Sequence, residues 1–147
     1  MNKEPLISII INCFNGEKYL SEALNSILNQ TYKNWEVIFW DNQSKDSSAN
    51  IFKSYTDKRF KYFYANEHTV LYQARNQAIK ESKGEFIAFL DVDDKWRESK
   101  LERQMVLFTD NKVGLVYSKF YIFYENKKKK NISFNKKIKS GYILIDL

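Results

Sequence analysis

The sequence predicts an α/β fold built on a mainly parallel sheet that is flanked by helices. Short runs rich in β-branched and aromatic residues alternate with segments of helical pattern, and polar residues follow several of the apolar runs. Because strands that alternate with helices form right-handed crossovers, this order favours a parallel sheet. No internal repeat or low-complexity linker divides the 147 residues, so we expect a single domain over residues 1–147.

Apolar runs mark the expected strands. The first, Leu6–Asn12, is the β-branched run LISIIIN, which a sheet with helices on both faces would bury. The second, Trp35–Asp41, reads WEVIFWD and ends in an acid. Further strands are expected over residues 59–66, 85–91 and 113–125, and the last of these is expected to pair with residues 131–135 across a lysine-rich tip.

Helices are expected between these strands. The first is expected within residues 16–32, where the residues at helical spacing are Tyr19, Leu20, Ala23, Leu24, Ile27 and Leu28. A second helix is expected over residues 46–55, where an Asp or Ser side chain would cap its start. The third covers residues 70–82, and we expect Gly84 to end it because glycine is common at helix C-termini. The fourth covers residues 97–111.

Composition excludes several classes of protein. Hydrophobic residues make up 44% of the chain, which is enough for an ordinary core. Cys13 is the only cysteine, so a disulfide framework is excluded, and it has no CxxC or CxxH neighbour that would indicate zinc. No run approaches the roughly 18 apolar residues of a membrane-spanning helix, and the first residues lack a signal-peptide pattern. We therefore expect a cytoplasmic location.

Positive charge is concentrated towards the end of the sequence. The net charge is +6, and seven lysines fall within 13 residues, at Lys127–Lys130, Lys136, Lys137 and Lys139. One interpretation is a solvated loop tip. The other is a surface that attracts anionic lipid headgroups and associates peripherally with the inner face of the membrane. Nucleic-acid binding is not expected, because no interleaved aromatic residues or nucleic-acid motif accompany the lysines.

Polar loops follow three of the expected strands. They are Asn12–Gly16, Asp41–Asp46 and Asp91–Asp94. In open α/β sheets, ligands bind beyond the carboxyl ends of the strands, near the point where the strand order reverses. We therefore expect the three loops to meet at one binding crevice.

The third loop, within EFIAFLDVDDKW, carries three carboxylates in four positions. On an extended segment, Asp91 and Asp93 would project to the same side. Carboxylates that close resist joint ionisation without a cation, and Mg²⁺ or Mn²⁺ prefers one or two carboxylates together with phosphate oxygens and water. The alternative, that Asp93 or Asp94 only caps the next helix, explains one acid and not three. We therefore expect a metal diphosphate as the ligand.

Other acidic and nucleotide-binding motifs fit less well. A calcium loop of the DxDxDG kind is excluded because Lys95 occupies the third ligand position and no glycine follows. Phosphatases of the haloacid dehalogenase type use a DxD whose first Asp lies on the first strand, whereas Asp91 belongs to the fourth expected strand. A Rossmann dehydrogenase needs a glycine-rich turn after its first strand, where this chain has NCFNGE with one glycine.

Several spaced motifs lie within roughly Pro5–Phe108. The opening segment contains NxxxYL, SILxQTY and a DNxSxD turn, and ARNQAIKESKGEFIAFLDVDD ends in a DxD motif. Together these motifs resemble family 2 glycosyltransferases, whose nucleotide-sugar-binding part has the GT-A fold. The resemblance implies a metal-dependent, inverting enzyme of the hexosyltransferase type that acts in polysaccharide biosynthesis. Its donor would be a nucleotide diphosphate sugar, expected to be a UDP-sugar, and its acceptor a saccharide or a lipid-linked molecule.

The resemblance also implies roles for individual acids. Asp41 would accept a hydrogen bond from the imide N–H of uracil or an equivalent base edge, since an ionised carboxylate offers only acceptors. Asp91 would contact the ribose or the sugar. Asp93 would bind the divalent metal, Mg²⁺ or Mn²⁺, with Asp94 close by.

Further residues would shape the nucleotide pocket. Backbone groups from Asn12 to Asn15 would line it, and Asp46 and Arg75 would support it. For Arg75 the alternative is a surface position or an ion pair with a nearby acid. The pattern departs from the commonest one at Trp40, where a smaller aliphatic residue is usual. It also departs at residues 68–70, His-Thr-Val, where a glycine-containing loop is common, so we expect the fit of the base and donor to differ.

A general base is not recognisable in the sequence. Inverting members of the family use a carboxylate well past the DxD to deprotonate the acceptor hydroxyl. The acids after Asp94 are Glu98, Glu102, Asp110, Glu125 and Asp146. None lies in a matching acidic motif, so we expect the base beyond Leu147 and expect this chain to be the donor-binding part of a longer enzyme, truncated at its C-terminal end. The alternative is a non-catalytic nucleotide-sugar-binding module.

Overall fold

The computed structural model describes residues 4–122 and 132–133. Residues 4–106 belong to one compact unit, and the described residues from Leu107 onward belong to a second. The prediction of a single domain over residues 1–147 stays a prediction.

The first unit is a parallel sheet whose strands are joined by helices. Its elements are β1 (Ile7–Cys13), α1 (Glu17–Leu28), β2 (Trp35–Asp41), α2 (Ser48–Lys53), β3 (Phe60–Tyr64), α3 (Leu71–Lys80), β4 (Phe86–Phe89) and α4 (Lys100–Met105), followed by a 3₁₀ turn (Val106–Thr109). The strand order is β3-β2-β1-β4, and all three pairings are parallel. This confirms the predicted mainly parallel α/β fold and places the reversal of strand order between β1 and β4.

Apolar layers cover both faces of the two central strands. Because successive strand residues point to opposite faces, Ile9 and Ile11 join a large cluster with Leu24 of α1, whereas Ile10 joins a smaller cluster with Ala78 of α3. All five of these side chains are buried. Burial on both faces explains why β1 is a continuous apolar run without polar alternation.

A buried carboxylate ties the start of the sheet to the loop before β4. Glu36 of β2 accepts hydrogen bonds from the Ser8 hydroxyl at 2.7 Å and from the Lys83 backbone N–H at 2.8 Å, and it pairs with the Lys61 ammonium. Burial alone would raise the pKa of Glu36, but the hydrogen bonds from Lys61, Ser8 and Lys83 outweigh it and hold that pKa below its ordinary value. The ionised carboxylate therefore stabilises the folded state.

Gly84 lies next to this network and does not cap α3. The helix ends at Lys80, with Glu81 as its last capping residue. A Cβ atom on Gly84 would lie 2.5 Å from the backbone nitrogen of Ser8, and the Gly84 N–H donates to the Ser8 hydroxyl at 2.8 Å. The prediction that Gly84 ends the helix is wrong, because the missing side chain instead allows this loop to approach β1 closely.

Several predicted boundaries also differ, and long-range hydrogen bonds explain the largest difference. The fourth helix was expected from residue 97, but α4 begins at Lys100. The carbonyl groups of Arg97 and Glu98 instead accept hydrogen bonds from Gln30 and Thr31, which follow α1. The strand expected over residues 85–91 is regular only over the four residues of β4.

The described residues of the second unit include a short strand pair. Tyr121–Ile122 (β5) pairs with Ile132–Ser133 (β6) in antiparallel fashion, which confirms the expected pairing across the lysine-rich tip. Residues 113–120 have no regular secondary structure, although a strand was expected from residue 113. Lys127–Lys130 lie outside the described residues. Within residues 4–122 and 132–133, no helix combines the length and apolar character needed to cross a membrane.

Glu36→Gln should destabilise the first unit in a pH-dependent manner. Because the pKa of Glu36 is lowered in the folded chain, its contribution is fully present above the unfolded-state pKa and is lost as the pH falls through the folded-state pKa. We expect a loss of about 1.5–3 kcal/mol at pH 7, since a charged hydrogen-bonding group is removed, and a smaller loss in acid.

Urea unfolding at neutral and acidic pH measures this effect. Glu67→Gln is the control, because Glu67 lies in an exposed loop and should show little change at either pH. If Glu36→Gln lowered the free energy of unfolding by the same amount at neutral and acidic pH, the proposed link between the Glu36 pKa and stability would be wrong.

Candidate functional site

Parallel register brings the ends of the strands to one edge of the sheet. Cys13 of β1 lies opposite Asp41 of β2, which lies opposite Tyr64 of β3. The pairing continues past the strands, because the Asn42 N–H donates to the Cys13 carbonyl at 2.8 Å and the Ala65 N–H donates to the Asp41 carbonyl at 2.8 Å. The loops after these strands therefore start side by side.

Asn15 links the first loop to the second. Its backbone N–H donates to the Ser44 hydroxyl at 3.0 Å, and its side-chain Oδ1 accepts the Lys45 N–H at 2.8 Å. Asn15 and Gln43 adopt positive φ values of 55° and 68°, in the left-handed region that few residues other than glycine and asparagine tolerate. The conformation of each loop therefore depends on its hydrogen bonds to the other loop.

Gly16 brings the third loop against the first two. A Cβ atom on Gly16 would lie 3.0 Å from both the Cys13 Sγ and the Val92 side chain, and the Gly16 N–H donates to the Ser48 hydroxyl at 2.9 Å. A larger residue would push these loops apart. The predicted convergence of three polar loops is thus present in the structure, and it depends on close packing at this glycine.

Asp46 lies between the N-termini of two helices. Its carboxylate accepts the Glu17 N–H at 2.9 Å and the Ser48 N–H at 3.0 Å. Burial would raise the pKa of Asp46, but the hydrogen bonds from Ser48 and from the Glu17 backbone outweigh it, so the pKa lies below its ordinary value. The negative charge also suits the positive ends of both helix dipoles. Asp46 therefore fixes the start of α1 and of α2.

Asp41 is completely buried, and its carboxylate is occupied inside the unit. One oxygen accepts the Ser44 N–H at 2.7 Å, and the other accepts the Tyr62 hydroxyl at 2.7 Å. Burial and the neighbouring Asp41 carboxylate raise the pKa of Tyr62, so this hydroxyl stays protonated as a donor. The structure places Asp41 behind the turn that it organises and not on the wall of the cavity beside it.

That cavity has a volume of about 300 Å³ and opens at the same edge of the sheet. It is lined by Asn12, Cys13, Phe14, Asn42, His68, Thr69, Val70, Leu71 and Ala74. Asn42 is held in place because its Nδ2 donates to the Thr69 carbonyl at 2.7 Å and its Oδ1 accepts the Thr69 N–H at 3.1 Å. The rings of Phe14 and His68 lie 4.4 Å apart, and together they supply aromatic surface.

The side chains of Asn42, Phe14 and His68 were not predicted as site residues. Asn42 belongs to the predicted second polar loop, Asp41–Asp46, but the sequence did not show which residue of that loop faces the cavity. His68 Nδ1 lies 2.8 Å from the Asn42 carbonyl oxygen, and because a carbonyl only accepts, Nδ1 carries the hydrogen. This long-range contact between the second loop and the loop after β3 left no signal in the sequence.

Asn12 has hydrogen-bonding capacity that the described residues do not use. Its Nδ2 and Oδ1 atoms are both buried, and neither bonds to any residue in the described part of the chain. A buried amide without partners costs free energy. Asn12 also contributes to the lining of the cavity, so this unpaired amide lies beside the space that is open to a ligand.

The acids after β4 form a turn and not an extended segment. The Asp94 N–H donates to the Asp91 carbonyl at 3.0 Å, so the alternation argument for placing Asp91 and Asp93 on one side was wrong. The acids of the turn are nevertheless close enough to repel one another. Burial, and then the negative charges of Asp93 and Asp91, raise the pKa of Asp94. The Asp93 carboxylate is exposed and bonds to none of the described residues.

Arg75 reaches this turn from α3. Its Nη2 lies 2.7 Å from the Asp91 Oδ1, and its guanidinium lies 5.4 Å from the centre of the Phe89 ring. This is the alternative considered from the sequence, in which Arg75 pairs with a nearby acid. Of the three acids in the turn, the pair leaves Asp93 and Asp94 without a cationic partner among the described residues.

The family model for glycosyl transferase family 2 matches residues 8–145. The chain belongs to this family. It is similar to the Escherichia coli UDP-Glc:alpha-D-GlcNAc-diphosphoundecaprenol beta-1,3-glucosyltransferase WfgD, with 36% identity over 121 residues. That alignment covers 82% of this chain and 48% of WfgD, so the chain spans less than half of this relative.

Solved structures of glycosyltransferases share the fold. Staphylococcus aureus TarS 1–349 in complex with UDP is 30% identical, with a TM-score of 0.67, over 71% of this chain and 32% of TarS. The mannosyltransferase PcManGT of Pyrobaculum calidifontis is 22% identical, with a TM-score of 0.71, over 77% of this chain and 35% of PcManGT. The family and the GT-A fold that the motifs predicted are both confirmed.

Tyr62→Phe should destabilise the first unit by about 1–3 kcal/mol, because it leaves one oxygen of the buried Asp41 carboxylate without its donor. Tyr64→Phe is the matched control, since Tyr64 lies on the same strand and is exposed. Urea unfolding of the two variants measures the difference. Equal stability would show that the hydroxyl does not support Asp41.

Proposed function

We propose that this chain forms the donor-binding part of a glycosyltransferase that moves a sugar from a nucleotide diphosphate sugar to a saccharide or lipid-linked acceptor. The observation that carries the proposal is a cavity at the strand ends with both apolar and amide side chains, in a member of this family whose acidic turn packs through Val92 against the same first loop at Gly16. A cavity for a base next to acids that suit a metal diphosphate is the arrangement that such a donor requires.

The nucleobase would occupy the cavity. Phe14 and His68 offer aromatic surface for stacking, and Asn12 offers one free acceptor and one free donor group. A pyrimidine imide presents both a donor and acceptors, so it would satisfy Asn12. TarS has been solved in complex with UDP, in a structure that is 30% identical to this chain, and with UDP-GlcNAc, in one that is 29% identical. Both ligands support a uridine nucleotide as the donor.

This assignment changes the proposed role of Asp41. The carboxylate was expected to bind the base, but it is buried and already accepts two hydrogen bonds. We propose that Asp41 orients the second loop, so that Asn42 is presented at the cavity, and that Asn12 and Asn42 contact the base. Asn15 and Asp46 would act through the loop backbone that they hold.

The diphosphate would lie at the acidic turn with Mg²⁺ or Mn²⁺. Asp93 fits a metal ligand because its carboxylate is exposed, unpaired among the described residues and close to two other acids. Asp94 would lie beside it, and Asp91, oriented by Arg75, would contact the ribose or the sugar. When bound, the cation would offset the negative charge that develops on the leaving nucleoside diphosphate.

The general base would come from outside the described residues of the first unit. Glu102 accepts the Thr31 hydroxyl at 2.7 Å, and the Glu98 carbonyl accepts the Thr31 N–H at 2.9 Å. Thr31 follows the C-terminal end of α1, whereas the site lies at its N-terminal end, on the order of 18 Å away for a 12-residue helix. Neither glutamate is therefore placed to deprotonate an acceptor at the site, and inverting transfer would need another carboxylate.

Two substitutions should separate the base from the metal. Asn12→Ala should weaken binding of both uridine and UDP by about tenfold, the loss of one or two hydrogen bonds, with little loss of stability because no internal bond is broken. Asp93→Asn should leave uridine binding unchanged and remove the gain in UDP affinity that Mn²⁺ or Mg²⁺ provides. Calorimetry with added metal and with a chelator measures both effects.

Glu81→Gln is the charge-matched control, because Glu81 is exposed at the end of α3 away from the site. Equal UDP affinity of the parent with metal and with chelator would remove the metal from the proposal. Parent-like binding by both variants would show that the assigned site is wrong.

Residues 1–147 alone should bind UDP with metal yet transfer sugar slowly. Loss of a general base typically lowers the rate by about 10² to 10⁴, and loss of an acceptor platform lowers it further. The assay compares release of UDP with transfer to a panel of saccharide and lipid-linked acceptors. Efficient transfer would place the base among this chain's own acids, and UDP binding with no turnover in any longer form would favour the non-catalytic module.

A further inference from the structure

We infer that Gln30 is a positioning residue for the acidic turn, acting through the segment that follows it. The inference rests on the proposed function, because positioning the turn matters only if the turn binds a metal diphosphate. It concerns the motif SILxQTY, whose glutamine lies at the far end of α1 from the site.

Gln30 is fully buried and uses its amide to bind backbone on two sides. Its Nε2 donates to the Ser26 carbonyl at 3.0 Å and to the Arg97 carbonyl at 2.8 Å, and its Oε1 accepts the Leu101 N–H at 3.1 Å. Both N–H hydrogens and the carbonyl oxygen are thus engaged. One side chain therefore joins the end of α1 to a segment about 70 residues later in the sequence.

Two neighbours extend the same connection. The Ser26 hydroxyl accepts the Trp96 N–H at 3.1 Å and donates to the Ala23 carbonyl at 2.7 Å. The Thr31 N–H donates to the Glu98 carbonyl at 2.9 Å. Ser26, Gln30 and Thr31, here called the α1 clamp, therefore fix the backbone of residues 96–101.

The acidic turn lies between this clamp and the sheet. On one side, the Leu90 N–H donates to the Ile10 carbonyl at 3.0 Å, and on the other side the Trp96 N–H is held by Ser26. Only residues 91–95 separate these two anchors. Within the turn, Asp91 pairs with Arg75 and Val92 packs at Gly16, whereas the exposed side chains of Asp93 and Asp94 bond to none of the described residues.

Metal and phosphate sites require that their ligands be held within a fraction of an ångström. Loss of a group that orients a metal ligand commonly costs about 10–100-fold in metal affinity. Releasing the anchor at residue 96 would let Asp93 and Asp94 adopt many arrangements. The clamp would therefore act on the metal-dependent part of donor binding while leaving the cavity for the base intact.

The chemistry of the side chain explains why glutamine is suited to this position. An amide donates and accepts at once, which matches two carbonyl groups and one N–H group. Glutamate would place an oxygen against the Ser26 and Arg97 carbonyls. Methionine would keep nearly the same volume but remove both long-range bonds, the one to the Arg97 carbonyl, which keeps the Lys100 N–H as a donor, and the one from the Leu101 N–H.

Hydrogen exchange of Gln30→Met tests the clamp without any ligand. We expect amides in residues 91–101 to exchange faster, whereas amides of β1 and β2 keep their relative protection. Gln77→Met is the matched control, because Gln77 is exposed on α3. If Gln30→Met does not fold, Ser26→Ala serves in its place, because it removes the bond to Trp96 together with only one local bond inside α1, to the Ala23 carbonyl. Unchanged exchange in residues 91–101 of the variant that folds would overturn the inference.

Binding measurements then test the positioning role. We expect the gain in UDP affinity from Mn²⁺ to fall by at least about tenfold in the clamp variant, while uridine affinity stays the same. Glu36→Gln is the control for general destabilisation, because it destabilises the unit away from the turn. It should not change the gain in UDP affinity from Mn²⁺. Faster exchange with an unchanged Mn²⁺ gain would overturn the positioning role. A parent chain without any Mn²⁺ gain would instead contradict the proposed metal function, and hydrogen exchange would still decide whether the clamp holds the turn.

Discussion

The parallel pairing of β1 with β2 is the constraint on which the rest of the structure depends. Seven residues of each strand stay in register, from Ile7 opposite Trp35 to Cys13 opposite Asp41, and helices bury both faces. Because both strands run the same way, every helix must return the chain across a face, and every polar loop must leave at one edge. A crevice at the reversal between β1 and β4 follows from this geometry before any side chain is considered.

The sequence predicted those parts of the fold that depend on local pattern. β2 has the predicted bounds, Trp35–Asp41, because a short β-branched and aromatic run can be buried on both faces only in a strand. Where a boundary depends on distant partners, the prediction failed. α4 starts late because Gln30 binds the Arg97 carbonyl, and Gly84 serves close packing against Ser8 instead of ending α3. Hydrogen bonds between residues so far apart leave no periodic signal.

The candidate site shows the same division. Strand ends and the DVDD run could be found from the sequence, because polar loops that follow apolar runs in an α/β pattern mark the carboxyl ends of strands, where ligands bind. The sequence could not show whether Asp41 or Asn42 faces the cavity, since that depends on Tyr62 of β3. The Tyr62 hydroxyl draws Asp41 into the interior and leaves Asn42 at the wall. A carboxylate suited by charge to bind a base is thus used to support the loop that carries an amide.

The two ends of the proposed donor site are held by different means, and this follows from their chemistry. A base cavity can be buried, so side chains such as Asn42 are fixed by direct hydrogen bonds to neighbouring loops. Acids that must meet a cation cannot be buried without one, because unpaired carboxylates in an apolar site cost several kcal/mol each. The carboxylates of the acidic turn therefore remain exposed. The turn is held by its backbone anchors, β1 on one side and α1 on the other, together with the Arg75–Asp91 pair and the packing of Val92. A helix that begins at the site thus also holds, through its far end, the segment that returns from the site.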